Sequence, residues 1–90
     1  MFEPVYTTRF EKDLKKSLKR GKDPEKIKEI IDLILAGKAL PIRCSDHWLV
    51  GNYVNRRECH IEPDWLLIYF PGKKEIVFER TGTHSDLFKN

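Results

Sequence analysis

The fold of this 90-residue chain is decided by the stretch EPDWLLIYF at residues 62–70. Its first three residues are typical of a tight turn, and the run that follows, from Trp65 to Phe70, is apolar without interruption. A continuous apolar run of this length fits a strand that is covered on both faces of a sheet. We therefore predict that Trp65 to Phe70 forms the central strand.

The residues before the central strand alternate between apolar and polar. Cys59 and Ile61 share one parity, and His60 falls on the other with charged neighbours. Because successive side chains of a strand point to opposite faces, His60 is predicted to point away from the apolar set. This earlier strand enters the central one through the turn at residues 62–64.

The residues after the central strand predict a third strand of an antiparallel meander. A turn at residues 71–73 leads into residues 75–81, where Ile76 and Phe78 lie on one face, and Gly82 ends the strand. The tail beyond that glycine has room for one helical turn only.

Two helices are predicted ahead of the meander, after a short β-prone stretch at residues 5–8. In the first helix, Thr8 and Glu11 have the spacing of a capping box. Apolar residues then recur every fourth position from Phe10 until Gly21 closes the helix. The apolar face of this helix is narrow, and the rest of its surface is largely cationic.

The second helix has a clear start and a wide apolar stripe. Asp23 is placed as the N-cap and Pro24 as the first helical residue, and the stripe runs from Ile27 to Leu35. Because the connection at residues 21–23 is short, the two helices are predicted to form an antiparallel hairpin.

The element order strand, helix, helix, strand, strand, strand predicts an α+β fold in a single domain over residues 1–90. We expect a mostly antiparallel twisted sheet of about four strands, with the N-terminal helical hairpin packed on one face. Residues 38–52 show no sustained period and are predicted to form an ordered connecting loop. The other face of the sheet is expected to be a shallow concave surface, where a site is most naturally sought.

The composition, 40% hydrophobic and 34% charged, is that of an ordinary globular domain. No apolar run approaches the roughly 20 residues that cross a bilayer, so no membrane partner is expected. The N-terminus lacks the apolar block of a secretory signal, which favours the cytoplasm. In that reducing compartment Cys44 and Cys59 are expected to be free thiols.

The net charge of +3 is concentrated in one element. Residues 9–22 hold seven basic and two acidic side chains, a net charge of +5. Such a block suits binding to a polyanion, and it equally suits the solvated face of a helix. The six cations of the first helix are Arg9, Lys12, Lys15, Lys16, Lys19 and Arg20.

Three histidines, His47, His60 and His84, fall in the C-terminal half, where strand ends and loops can converge. Asp64 and Arg80 are placed to join them. Imidazoles beside a carboxylate and a guanidinium suit metal-free phosphodiester cleavage, which needs a base for the 2′-hydroxyl, an acid for the leaving oxygen and a cation for the phosphorane charge. Each histidine taken singly also fits a surface or turn position.

Several of these residues have a plainer structural interpretation. Arg80 shares the parity of the apolar residues in its strand, so it either snorkels over the sheet edge or contacts a phosphate. Trp65 either packs in the core or stacks on a base, and Phe88 is predicted to fill the core as a plug near the C-terminus. Cys59 and His60 are consecutive in a strand and project to opposite faces, which argues against a zinc site. No metal or other cofactor is expected.

Three segments resemble the YafQ branch of the RelE/ParE toxin superfamily. They are DHWLVG at residues 46–51, RECHIEPDWLLIY at residues 57–69 and FERTGTHSDLF at residues 78–88. The combination of HIEPDW with RTGTH is far more specific than any isolated histidine.

The resemblance implies a bacterial toxin of a type II toxin–antitoxin system. It implies a ribosome-dependent mRNA interferase, an endoribonuclease that enters the decoding site and cuts the message. It also implies a cognate antitoxin that holds the toxin inactive in a hetero-oligomer, and we expect an acidic segment of the antitoxin to fold on contact.

The resemblance also assigns roles to the candidate site. His47, His60, Asp64 and His84 fall on positions used for acid and base work. We expect His84 to be the general acid, Asp64 or His60 the base or its orienter, and His47 the group that steadies the phosphate.

The remaining assignments concern RNA binding. Trp65 and Phe88 match positions that support activity or place the RNA, and Arg80 is added as a phosphate contact. The six cations of the first helix are expected to neutralise ribosomal RNA phosphates. Two alternatives stay open: a non-catalytic toxin that inhibits a target such as gyrase by binding, and a plain RNA-binding module. The inhibitor would not need the imidazole set, and the RNA-binding module would not be toxic on expression without a partner.

Overall fold

The computed structural model describes residues 1–88 of the chain as a sheet with three α-helices. Two short 3₁₀ turns, Ile42–Cys44 and Gly51–Tyr53, interrupt the long connection that follows the second helix. The helices and strands, in chain order, are β1 (Glu3–Tyr6), α1 (Thr8–Lys19), α2 (Pro24–Leu35), β2 (His47–Trp48), β3 (Arg57–Glu62), β4 (Trp65–Pro71), β5 (Glu75–Gly82) and α3 (His84–Leu87). Neither α1 nor α2, nor the single turn of α3, is long and apolar enough to cross a membrane within these residues.

The sheet has five strands in the order β1-β5-β4-β3-β2 and is mixed. β1 runs parallel to β5, with Glu3 opposite Glu75 and Tyr6 opposite Phe78, and the other neighbours are antiparallel. The prediction of a mostly antiparallel sheet of about four strands is therefore corrected: the sheet has five strands, and one of its four pairings is parallel. The helical hairpin returns the chain so that β1 ends up beside the last strand, a pairing between residues 72 positions apart.

The central strand is confirmed. β4 lies between β3 and β5, and Trp65 to Tyr69 are all buried. Trp65, Leu67 and Tyr69 belong to the main core, whereas Leu66 and Ile68 belong to a smaller cluster. The alternation shows that both faces of β4 are covered, as the uninterrupted apolar run predicts.

Helices α1 and α2 each begin at a residue whose side chain accepts a hydrogen bond from a backbone N–H of the first turn. Asp23 accepts a hydrogen bond from the backbone N–H of Glu25 at 2.9 Å and Pro24 follows it, as predicted for α2. For α1 the predicted cap is wrong by one residue. The N-cap is Thr7, which accepts from the backbone N–H of Phe10 at 2.9 Å. The Thr7 hydroxyl also donates to the backbone oxygen of Glu79 at 3.0 Å, which ties the start of α1 to β5.

The two faces of the sheet are covered differently. The main core joins buried residues of α1 and α2, such as Phe10 and Ile30, to one face of the sheet. On the other face, Leu87 of α3 packs with Leu66 and Ile68, and Leu49 and Tyr53 lie against them. This second face is thus partly covered by α3 and the long connection, and the three histidines lie along it.

Candidate active site

The three histidines come together on the face that carries α3. His60 lies opposite Leu66 in the β3–β4 ladder and so shares the face of the smaller core. The ring centroids of His60 and His84 are 5.7 Å apart in an edge-to-face arrangement. His47 reaches the same place because β2 pairs with β3, which puts it opposite Glu58. Residues far apart in the sequence therefore meet at one site.

His84 and Asp64 form the tightest contact of the site. Nδ1 of His84 lies 2.7 Å from Oδ1 of Asp64, and the backbone N–H of His84 donates to the same oxygen at 2.9 Å. These two bonds, the backbone one first, hold the pKa of Asp64 below its ordinary value. An ionised carboxylate only accepts hydrogen bonds, so Nδ1 must carry the hydrogen and Nε2 remains available. Both side chains are more than half exposed.

Local sequence fixes the position of this pair. Asp64 lies in the tight turn between β3 and β4, and His84 is the first residue of α3. A capping box closes that helix: Asp86 N–H donates to the Thr83 hydroxyl at 3.1 Å, and Thr83 N–H donates to the Asp86 carboxylate at 3.0 Å. The sequence THSD therefore sets the direction in which the His84 ring leaves the backbone.

Glu58 is a member of the site that sequence analysis missed. Its side chain is only 7% exposed, and its Oε1 lies 3.5 Å from Nε2 of His47 and 3.4 Å from Nε2 of His60. No lysine or arginine among residues 1–88 forms an ion pair with it. The two histidine rings are the groups that this largely buried carboxylate contacts. We call His47, Glu58, His60, Asp64 and His84 the histidine cluster.

A sequence signal for Glu58 exists but is incomplete. Glu58 has the parity of His60 in β3, which puts both side chains on one face. A charged residue in an alternating strand is ordinarily solvated, and its burial depends on the pairing of β2 with β3. That pairing involves two residues only, His47 and Trp48, too few for any periodicity to be detected.

His47 is held from both sides of its ring. Nδ1 lies 2.5 Å from the backbone oxygen of Ser45, and Nε2 faces Glu58. These two contacts fix the orientation of the ring. The neighbouring Asp46 is anchored by the Tyr69 hydroxyl at 2.7 Å and Nε of Arg57 at 3.0 Å, which fixes the backbone that carries His47.

Arg80 does not lie where its parity predicts. The β4–β5 register shifts so that Tyr69 is opposite Phe78 but Ile68 is opposite Arg80. This irregularity moves Arg80 to the face of Ile68, away from Phe78. Its Nε donates to Asp13 of α1 at 2.6 Å, and its side chain is 12% exposed. The parity argument is thus wrong, and the phosphate contact of Arg80 stays a prediction that would require this ion pair to open or be shared.

The two aromatic candidates, both expected in the core by the plainer interpretation, lie in different environments. Trp65 is 1% exposed, and its indole N–H donates to the Thr81 hydroxyl at 2.9 Å, so stacking on a base is excluded in this conformation. Phe88 is 39% exposed and makes an edge-to-face contact with Tyr53, with ring centroids 5.9 Å apart. Phe88 is therefore a surface residue and not a core plug, which leaves its ring accessible to RNA.

The two cysteines lie inside the protein. Cys44 and Cys59 are free thiols with no exposed surface. Burial raises the pKa of both thiols, most strongly that of Cys59. Among residues 1–88 no group of three His, Cys, Asp or Glu side chains is arranged to hold a metal ion.

Comparison with known proteins decides the family. Residues 2–89 match the family described as bacterial toxin of type II toxin-antitoxin system, YafQ. The chain belongs to the YafQ toxin family. The Escherichia coli K12 protein named mRNA interferase toxin YafQ is 43% identical over 84 residues, which cover 92% of this chain and 91% of that one. The resemblance inferred from the sequence is thereby confirmed.

Solved structures agree with this assignment. The toxin chain of the Escherichia coli DinJ-YafQ toxin-antitoxin complex superposes with a TM-score of 0.90 at 41% identity, covering 97% of each chain. YafQ from Escherichia coli strain BL21(DE3) gives a TM-score of 0.92 at 39% identity, covering 98% of this chain and 99% of that one. The mixed five-stranded architecture is therefore a YafQ fold.

The cations of α1 fall into two groups in this YafQ-family chain. Lys16 and Arg20 approach Asp86 at 3.5 and 2.7 Å. The other four are exposed and form no ion pair within the part of the chain that the structure describes; they are Arg9, Lys12, Lys15 and Lys19. Four of the six predicted RNA contacts are thus free, and two have a partner in the fold.

Replacing Glu58 tests its membership of the site. We expect Glu58→Gln to lower the cleavage rate by about tenfold, because the glutamine keeps the shape but removes the charge that holds the two rings. The measurement is the rate of message cutting by the purified variant. Glu62→Gln is the matched control, since Glu62 lies in the same strand but pairs with Lys22 and Lys26. Equal rates for both variants would remove Glu58 from the site.

Proposed function

We propose that this chain is an mRNA interferase, an endoribonuclease that cuts messenger RNA at the ribosome until a cognate antitoxin neutralises it. The observation that supports this proposal most is the His84–Asp64 pair beside the His60 ring. In this arrangement His84 is an oriented proton donor and His60 is a nearby proton acceptor, both on an accessible face. The curated relatives carry the name mRNA interferase toxin.

The reaction that fits the histidine cluster is attack of a ribose 2′-hydroxyl on the adjacent phosphate. A base takes the 2′-hydroxyl proton, the 2′-oxygen forms a bond to phosphorus, and the bond to the 5′-oxygen breaks. The acid protonates that leaving oxygen, so the products are a 2′,3′-cyclic phosphate and a free 5′-hydroxyl. Imidazoles suit both proton transfers near neutral pH.

The roles proposed within the histidine cluster follow from its contacts. Asp64 already accepts two hydrogen bonds from His84, so it orients the acid and His84 donates the proton from Nε2. His60 is then the base, since its ring lies 5.7 Å from that of His84, a separation that suits two groups flanking one ribose-phosphate. His47, whose Nε2 faces Glu58 at the same site, stabilises the negative charge of the phosphorane.

This division requires no metal ion. A histidine side chain serves each proton transfer. His47 stabilises the negative charge that develops on the phosphorane, and Arg80 can add to this if its ion pair with Asp13 opens. We therefore propose metal-independent cleavage. Phe88, exposed beside Tyr53, is proposed to stack on a base next to the cut.

Binding to the ribosome is proposed to use the free cations of α1. Arg9, Lys12, Lys15 and Lys19 project from one helix into solvent, where phosphates of ribosomal RNA can approach them. Each phosphate neutralised releases counterions, so the affinity is expected to fall steeply with salt. Because ribosomes and messages are the target, we place the action in the cytoplasm.

The antitoxin is proposed to be an acidic protein that forms a hetero-oligomer with the chain. The Escherichia coli relative was solved as a DinJ-YafQ toxin-antitoxin complex. An acidic segment would compete with RNA for the exposed cations of α1 and fold as it binds.

Primer extension in a translating extract tests the proposed function. The wild-type chain is expected to cut message, with ribosomes required and with cutting retained in excess chelator. The variant with alanine at positions 47, 60 and 84 is expected to leave the message intact and to be harmless on expression. A triple variant that still stops growth without cutting would instead indicate a binding toxin, such as an inhibitor of gyrase. No cutting by the wild type would refute the interferase assignment.

A further inference from the structure

The helix that carries His84 depends on contacts with the rest of the protein for its position. α3 has four residues, which is a single turn, and one turn of helix is unstable without outside contacts. Leu87 packs it against the smaller core, and Asp64 contacts the His84 backbone. A third attachment joins α3 to the end of α1, and nothing in the proposed reaction accounts for it.

The third attachment is an ion pair with a fork geometry. Nη1 of Arg20 donates to Oδ2 of Asp86 at 2.7 Å, and Nη2 approaches Oδ1 at 3.4 Å. Nζ of Lys16 lies 3.5 Å from Oδ1. The Asp86 side chain is 18% exposed, and the Arg20 bond together with the Thr83 N–H holds its pKa well below the usual range. Two planar groups paired in this way fix an orientation as well as a distance.

The backbone at Gly82 leaves room for the Asp86 carboxylate because glycine has no side chain. A Cβ atom at Gly82 would lie 2.9 Å from Oδ2 of Asp86 and 3.0 Å from its Cβ. Contacts that short require something to shift, so a glycine at this position lets Asp86 fold back against the end of β5. The same carboxylate closes the capping box of α3. Asp86 is therefore placed by its own element before Arg20 reaches it.

We propose that Arg20 and Asp86 are positioning residues for His84, and that their ion pair fastens α3 to the end of α1. The pair thereby sets the direction of the His84 ring toward the bound ribose-phosphate. This inference rests on the proposed function, because it concerns the acid of that reaction. It also divides the α1 cations, since Arg20 then serves the fold of the site and the four free cations serve RNA binding.

The competing assignment makes a prediction of opposite sign. If Arg20 were an RNA ligand, Asp86 would compete with phosphate for it, and Asp86→Asn would strengthen RNA binding. If the pair positions His84, the same variant slows the chemical step and leaves binding nearly unchanged. Asparagine keeps a side-chain oxygen that can accept from Thr83 N–H, so the variant removes the charge and retains the cap.

The kinetic experiment measures kcat and KM for ribosome-bound message. We expect Arg20→Gln and Asp86→Asn each to lower kcat about tenfold with little change in KM, since small misplacements of a reacting group cost up to about 100-fold. The double variant is expected to be no worse than either single one, because both remove the same contact. Lys19→Gln is the matched control: it lies beside Arg20 on α1, forms no ion pair within residues 1–88, and should raise KM only.

A second measurement separates this proposal from the proposed function. The Nδ1–H of His84 gives an NMR signal whose exchange with water reports the contact with Asp64, with or without RNA. We expect faster exchange in Arg20→Gln and Asp86→Asn and no change in Lys19→Gln. Wild-type protein that cuts nothing would refute the function while this signal still tested the ion pair. Lowered KM with unchanged kcat in Asp86→Asn, or unchanged exchange in both variants, would overturn the positioning role.

Discussion

The His84→Ala protein is expected to cut message about 1,000-fold more slowly than the wild type, which is within the range for removal of a general acid. Without the Nε2 proton, the 5′-oxygen must leave as an unprotonated alkoxide. The change should leave the fold intact, since the side chain is 52% exposed and the backbone N–H still donates to Asp64 at 2.9 Å. Single-turnover cleavage of ribosome-bound message measures the effect.

Two neighbouring substitutions sharpen this test. His84→Gln can still donate a hydrogen bond to Asp64 but transfers no proton, so it should be about as slow as alanine. Ser85→Ala changes the next exposed residue of the same turn and should cut at the wild-type rate. Normal cutting by His84→Gln would show that the ring supplies position and not a proton, and the acid would then have to be sought elsewhere in the cluster.

Local periodicity accounts for the parts of the fold that could be predicted. The uninterrupted apolar run from Trp65 and the apolar stripe from Ile27 to Leu35 are examples. In each case the sequence of the element alone shows which of its side chains are buried. The parallel pairing of β1 with β5 depends on where the helical hairpin delivers the chain, which no local pattern encodes. β2 was missed because a strand of two residues has no period.

The positions of site residues could be predicted where turns determine them. They could not be predicted where the pairing of strands determines them. His84 and Asp64 lie at chain reversals, so strand order alone brings them near each other. Glu58 meets His47 only through the pairing of β2 with β3, and Arg80 changed face through a register shift between β4 and β5. Such shifts arise from competition between neighbouring strands, and parity counting assumes that they are absent.

The largest loss of stability is expected from Trp65→Ala. The side chain is 1% exposed in the main core, and truncating a buried tryptophan costs about 3–5 kcal/mol. That is a large share of the roughly 5–15 kcal/mol that stabilises a domain. Urea unfolding followed by circular dichroism measures the free energy of unfolding, and a loss below about 1 kcal/mol would contradict the burial.

A matched pair of milder variants shows how Trp65 affects cleavage. Its indole N–H donates to the hydroxyl of Thr81, which donates to the backbone oxygen of Leu66 at 2.7 Å. This bond links the turn that holds Asp64 to the strand that leads to His84. Trp65→Phe and Thr81→Val both remove the indole bond, and Thr81→Val also removes the bond to Leu66, so Thr81→Val should slow cleavage at least as much while the protein stays folded. If only Trp65→Phe slows it, the indole acts on the RNA directly, and the buried conformation must open when the message binds.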